Sequence, residues 1–198
     1  MKHLVSAVLV AVCLLGGAQA FADTNILVNP GFEDGVLTPW FNARNFCAGN
    51  CQNWGIDSTM PHSGMFDAMN IGNIELRQNF TPVAASSITQ ISFWMKHPDG
   101  AGIPMAIDLF YTDNSDHEFV VFSTDANYDF FDITADLTPG LTLSGISFFG
   151  VTDSGTSITF LDDVTVATNA GVPEPGSLVL MGSGLLGIAA TVRRRFLN

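Results

Sequence analysis

The chain has 198 residues, 19 acidic against 7 basic, and a formal net charge of −12. Setting aside Lys2, Glu174 and Arg193 to Arg195 leaves eighteen acidic and three basic residues between 23 and 172, about fifteen net negative charges. A surface of that sign repels phosphate backbones and anionic lipid headgroups, which excludes nucleic acid as a partner, and it suits neutral ligands and cations such as calcium.

The first residues, MKHLVSAVLVAVCLLGGAQAFADT, place Lys2 ahead of an apolar run from Leu4 to Leu15, with small residues in A-x-A register at Ala18/Ala20 and Ala20/Ala22. This is the layout of a cleaved signal peptide, expected as a helix over residues 1–22. Cys13 leaves with it. The exported chain keeps Cys47 and Cys51, four apart in FCAGNCQNW, which read as a small disulfide-closed loop. Zinc would need two more ligands close in space, and His62, His97 and His117 are scattered along the chain.

From Ile26 onward, short runs rich in Val, Ile, Thr and Phe alternate with Gly, Pro, Asn and Asp. They predict strands at 26–28, 64–70, 74–80, 88–96, 104–112, 117–123, 128–134, 143–151 and 156–167, turned by HPDGAG, TDNSD and TPG. No long amphipathic helix competes before Ser177. The expected fold is all-β, an antiparallel jelly-roll β-sandwich of about eight or nine strands over residues 23–168, with 16 Phe available for its core.

Two carboxylates at opposite ends of this domain attract notice. ILVNPGFEDG at 26–35 joins a strand to a turn carrying Glu33, and in SITFLDDVTVA Asp162 shares parity with Phe160, Val164 and Val166, as if it pointed inward. A buried carboxylate must be protonated, hydrogen-bonded or bound to a metal. Calcium suits Glu33 and Asp162 with backbone carbonyls; alternatively, Glu33 caps a turn and Asp162 bonds backbone amides. NPGFE, HSGMFDAMN at 62–70, LRQNF followed by ITQISFWMK, and the closing FLDDVTV stand in the order seen in jelly-roll carbohydrate-binding modules of the galactose-binding-like superfold. Residues 25–167 resemble that family. The resemblance implies a structural calcium on Glu33 and Asp162, with backbone near Ser63 and Gly64.

Sugars stack on exposed aromatic faces while polar groups take their hydroxyls. In ISFWMKH, Ser92, Trp94 and Lys96 fall on the face opposite Ile91, Phe93 and Met95, which makes Trp94 a candidate platform, with Asp108 and Phe110 offered by the following strand. Trp40 and Trp54 flank the cysteine loop and are further ligand-binding candidates. The competing reading puts each Trp in the core. Catalysis is not expected. VTDSGTS at 151–157 resembles an aspartic-protease turn but occurs once, whereas that chemistry needs two aspartates sharing a proton; the Gly-Ser-Gly at 182–184 lacks a nucleophile elbow; and no spacing singles out a glycosidase pair.

Residues 169–198 form a linker and tail. Sixteen uncharged residues, 177–192, would make a helix about 24 Å long against a hydrocarbon core of roughly 30 Å. On spacing alone this is a short membrane anchor or a core helix. Pro173-Glu174-Pro175, the Gly-rich apolar segment and the Arg193, Arg194, Arg195 cluster together resemble the PEP-CTERM sorting signal. That resemblance implies an exosortase-type processing enzyme as partner, transient inner-membrane anchoring, and delivery to the cell surface or extracellular matrix. The expected function is a non-catalytic exported protein that binds polysaccharide or contributes to an exopolysaccharide matrix. The alternatives are a structural or adhesive surface protein with no sugar site, and a glycan-active enzyme.

Overall fold

The computed structural model describes residues 22–150 and 157–170; the signal segment, most of the VTDSGTS turn and the sorting tail lie outside them. The strands are β1 (Ala22–Asn25), β2 (Phe41–Asn45), β3 (Gln52–Asp57), β4 (Asp67–Ile71), β5 (Ile74–Ala84), β6 (Ile88–Lys96), β7 (Pro104–Tyr111), β8 (Asp116–Phe122), β9 (Tyr128–Asp132), β10 (Thr142–Gly150) and β11 (Ile158–Ala170). One sheet is ordered β3-β4-β11-β6-β9, with β1 also paired to β11; the other is ordered β2-β5-β10-β7-β8. All neighbours along both of these orders pair antiparallel.

Period-two alternation gives each sheet an apolar inner face. Leu76, Ile107 and Phe148 of the five-stranded sheet and Phe93, Met95 and Leu161 of the six-stranded sheet are fully buried in one core cluster. Phe93 meets Phe148 across the core edge to face at 5.0 Å. The sandwich expected from the strand pattern is therefore the observed architecture.

Two strands escaped the sequence reading. β2 (FNARN) is exposed throughout and β3 (QNWGID) buries only Trp54 fully, so neither carries an apolar alternation to detect. Both sit at sheet edges, where pairing on one side suffices. The first strand is also displaced from 26–28 to Ala22–Asn25. Beyond it, the Gln78 side-chain amide replaces a strand partner, accepting from Val28 N at 2.8 Å and donating to Val28 O at 2.9 Å.

Candidate functional site

The outer face of the five-stranded sheet holds a polar cluster that composition alone does not reveal. Register places Arg77, Ser147, Asp108 and Glu118 in one row across β5, β10, β7 and β8, and Phe41 of β2 lies opposite Arg77. Pairing of β2 with β5 slips between Asn42 and Asn45, a bulge that re-aims the intervening side chains. Arg44, in that bulge, reaches across Glu75 and bonds Asp108 Oδ2 at 2.8 Å. Arg77 holds the other oxygen of Glu75 through Nε and Nη2, each at 2.8 Å.

Glu75 is 0% exposed and Asp108 2%, although neither faces the core. Burial pushes the Glu75 carboxyl up, but the bonds from Arg44 and Arg77 outweigh it and hold it below its ordinary range. Asp108 stays above its ordinary range, because burial and the neighbouring Glu118 exceed what Arg44 returns. Its Oδ1 is buried with no hydrogen-bond partner among the described residues.

Phenylalanines surround these charges. The Arg77 guanidinium lies 3.6 Å over Phe110, and Arg44 lies 5.0 Å from the centre of Phe46, which itself packs on Phe149 at 5.4 Å. Phe41, Phe46 and Phe122 are 42%, 44% and 55% exposed. The Cys47–Cys51 disulfide closes the loop that begins at Phe46. Beside Arg77 a cleft of about 530 Å³ is walled by Asn79, Phe110, Asn114, Asp116 and Ser144. Next to Ser144, Gly145 packs closely on Asn79, whose Oδ1 would lie 2.8 Å from an added Cβ.

Glu33 and Asp162, remote in sequence, converge on the loop before β4. Glu33 accepts from the amides of Met65 and Phe66, and Asp162 Oδ2 accepts from those of His62 and Ser63 at 3.0 and 3.1 Å. Asp162 does not point into the core. A register shift follows it, and Asp163 takes a left-handed φ of 48°, so the parity of Val164 and Val166 belongs to the other face. Asp162 lies opposite Trp94 on the outer face of the six-stranded sheet and is buried under the 62–63 backbone. Burial raises its carboxyl to about 6 despite those amides.

The tryptophan candidates separate. Trp40 and Trp54 are each 3% exposed and belong to the core, so neither can present a stacking face. Each has its indole N–H satisfied by a backbone carbonyl, Asn29 O for Trp40 and Ile74 O for Trp54. Trp94 does face outward, but His62 stacks on it at 3.8 Å and Phe130 packs beside it at 5.2 Å. Asp108 and Phe110 are not its neighbours: β6 and β7 are consecutive in the chain and lie in different sheets. The aromatic surface sought on tryptophan is supplied by phenylalanine on the opposite sheet.

A model of the PEP-CTERM protein-sorting motif matches residues 171–195, and the chain carries that motif. No curated protein matches the chain. Among solved structures, it is similar to TmCBM61 in complex with beta-1,4-galactotriose, at TM-score 0.54 and 18% identity over 74% of this chain and 99% of that one. It is similar to the CBM22-1 xylan-binding domain from Paenibacillus barcinonensis Xyn10C, at 0.52 and 12% over 78% and 100%. The enzymatically active domain of Bacteriophage CBA120 tailspike protein 4 also matches, at 0.52 and 11% over 74% of this chain but 21% of that one. At these identities the likeness is one of fold: the sandwich is a jelly roll of the carbohydrate-binding-module type.

Proposed function

We propose that the protein is exported, processed at its PEP-CTERM motif by an exosortase-type enzyme, and binds polysaccharide at the cell surface or in the surrounding matrix without catalysis. The observation that carries the reading is the outer face of the five-stranded sheet, where two arginines braced on buried Glu75 and Asp108 sit beside exposed Phe41 and Phe46. Rigid polar groups beside flat apolar ones are what a pyranose requires, hydroxyls for the first and C–H faces for the second. The fold relatives named as carbohydrate-binding modules support the same reading. A glycan array should give hits that Arg77→Ala weakens at least tenfold, and a blank array across matrix polysaccharides would overturn the proposal. Burial of Trp40 and Trp54 favours the alternative, a structural surface protein with no sugar site, and the same array decides between them.

We also propose a structural calcium held by Glu33 and Asp162. Ligand atoms of His62, Asp162 and Asp163 lie within 4.8 Å of one another, a grouping that could hold a cation, and Glu33 converges on the same loop. Among the described residues, the ion-pair partner of these three acids is His62, through Asp163. A bound cation would offset their mutual repulsion. At a hundredfold excess over its Kd it would add roughly 2.7 kcal/mol to folding. Chelation with EDTA should therefore lower the melting temperature by about 5–10 °C, and calcium should restore it. An unchanged melt, in the native protein and in Asp162→Ala alike, would reject the site.

A further inference from the structure

Two arginines on the binding face of a strongly acidic protein invite the reading that they collect a carboxylated or sulfated glycan. Arg44 and Arg77 are two of the three basic residues between 23 and 172, which sharpens that temptation. Their charges are already spent within the protein. Arg44 is bonded to Glu75 and Asp108, and Arg77 to Glu75 through both Nε and Nη2. Exposed Glu118 and Asp116 stand on the same face, paired by register with Asp108 and Phe110, so four acids oppose two bases. Beneath Arg44, Asp108 Oδ1 is a buried acceptor without a partner among the described residues. The charge of such a carboxylate opposes an incoming anion.

We infer that the ligand is a neutral glycan recognised through its hydroxyls, and that uronate-containing and sulfated chains are rejected by this face. The inference rests on the proposed sugar site and adds its ligand class. Arg77 acts as a fixed donor, its guanidinium plane held flat on Phe110 and its edge turned by the two bonds to Glu75. Hydroxyls can take the remaining N–H groups of both arginines without displacing the buried acids, whereas a carboxylate would have to compete with Glu75 for them. The adjoining cleft, walled by Arg77, Asn79 and Phe110, gives a ring room to approach the Arg77 edge.

The full chain should be titrated against matched pairs: β-1,4-galactan with polygalacturonate, and xylan with glucuronoxylan, within an array that includes sulfated chains. The expected result is binding to neutral members, with carboxylated or sulfated partners at least tenfold weaker and the gap narrowing in 0.5 M salt as the repulsion is screened. Glu118→Lys should raise affinity for the uronate member relative to its neutral counterpart, whereas Arg77→Ala should lose both. An anionic chain bound as tightly as its neutral counterpart, with affinity falling as salt rises, would overturn this inference and leave the sugar site standing. Failure of every glycan to bind would remove the site itself, and the inference with it.

Discussion

Gly64 stands at a φ of 63°, and the Glu33 carboxylate occupies the space a Cβ would take, with Oε1 2.2 Å from that position. Both the backbone conformation and the contact demand glycine. Gly64→Ala should cost at least about 2 kcal/mol by urea denaturation, and Glu33→Ala in the same chain should recover part of it, a non-additivity that independent sites would not show. His97 is another residue whose role only its surroundings define. It is 1% exposed, close to the Thr159 hydroxyl at 3.1 Å, and burial pushes its imidazole down to about 4. Below its ordinary value near 6.5 the unfolded chain takes a proton that the folded chain refuses. Its contribution is thus complete above about pH 6.5, declines as pH falls toward 4, and is level below that, amounting to at most about 3 kcal/mol. Asp67 and Asp162, both buried and raised to about 6, work in the opposite direction over much of that window, so the His97 contribution is read only as a difference between variant and native protein. The His97→Gln variant should show stability that improves relative to the native protein between pH 7 and pH 4; a constant difference would refute the assignment.

At the scale of elements, the segment from β2 to β3, whose two strands join different sheets, does most to build the face and was least legible. Its strands are short, polar and at sheet edges, so no alternation marked them, while the cysteine pair between them was plain from spacing. The chain runs from the β2 bulge, which carries Arg44, through Phe46 on Phe149 to the disulfide loop. Replacing Cys47 and Cys51 with serine should lower stability by about 2 kcal/mol, the loop-closure value for so short a ring. It should also weaken glycan binding several-fold, because Arg44 and Phe46 lose a restrained neighbour. Binding unchanged beside a lowered melting temperature would show that the strap does not position the site. The succession of β6 and β7 made the opposite error possible. Adjacent in sequence and joined by a clear turn, they read as neighbours, yet the turn carries the chain from one sheet to the other.

For the whole molecule, the tail and the sandwich answer separate questions. The motif at 171–195 concerns destination, and its proposed processing predicts that alanine at Pro173, Glu174 and Pro175 leaves the full-length precursor uncleaved in membranes on an immunoblot of the native host. A mature-sized product from that variant would count against processing there. Destination and fold class were open to the sequence, because a sorting signal is read locally by another protein and strand alternation is a local consequence of having one buried face. Convergence of Glu33 and Asp162 on one loop was also accessible, since each lies in a recognisable motif. The Arg44, Glu75, Arg77 and Asp108 cluster was not. Its members come from three strands, β2, β5 and β7, and they meet only through a bulge, a register and the assignment of β7 to the second sheet. Which aromatics stay exposed was settled in the same way. Exposure depends on what packs above a side chain, and for Trp40, Trp54 and Trp94 that covering comes from residues distant in the chain.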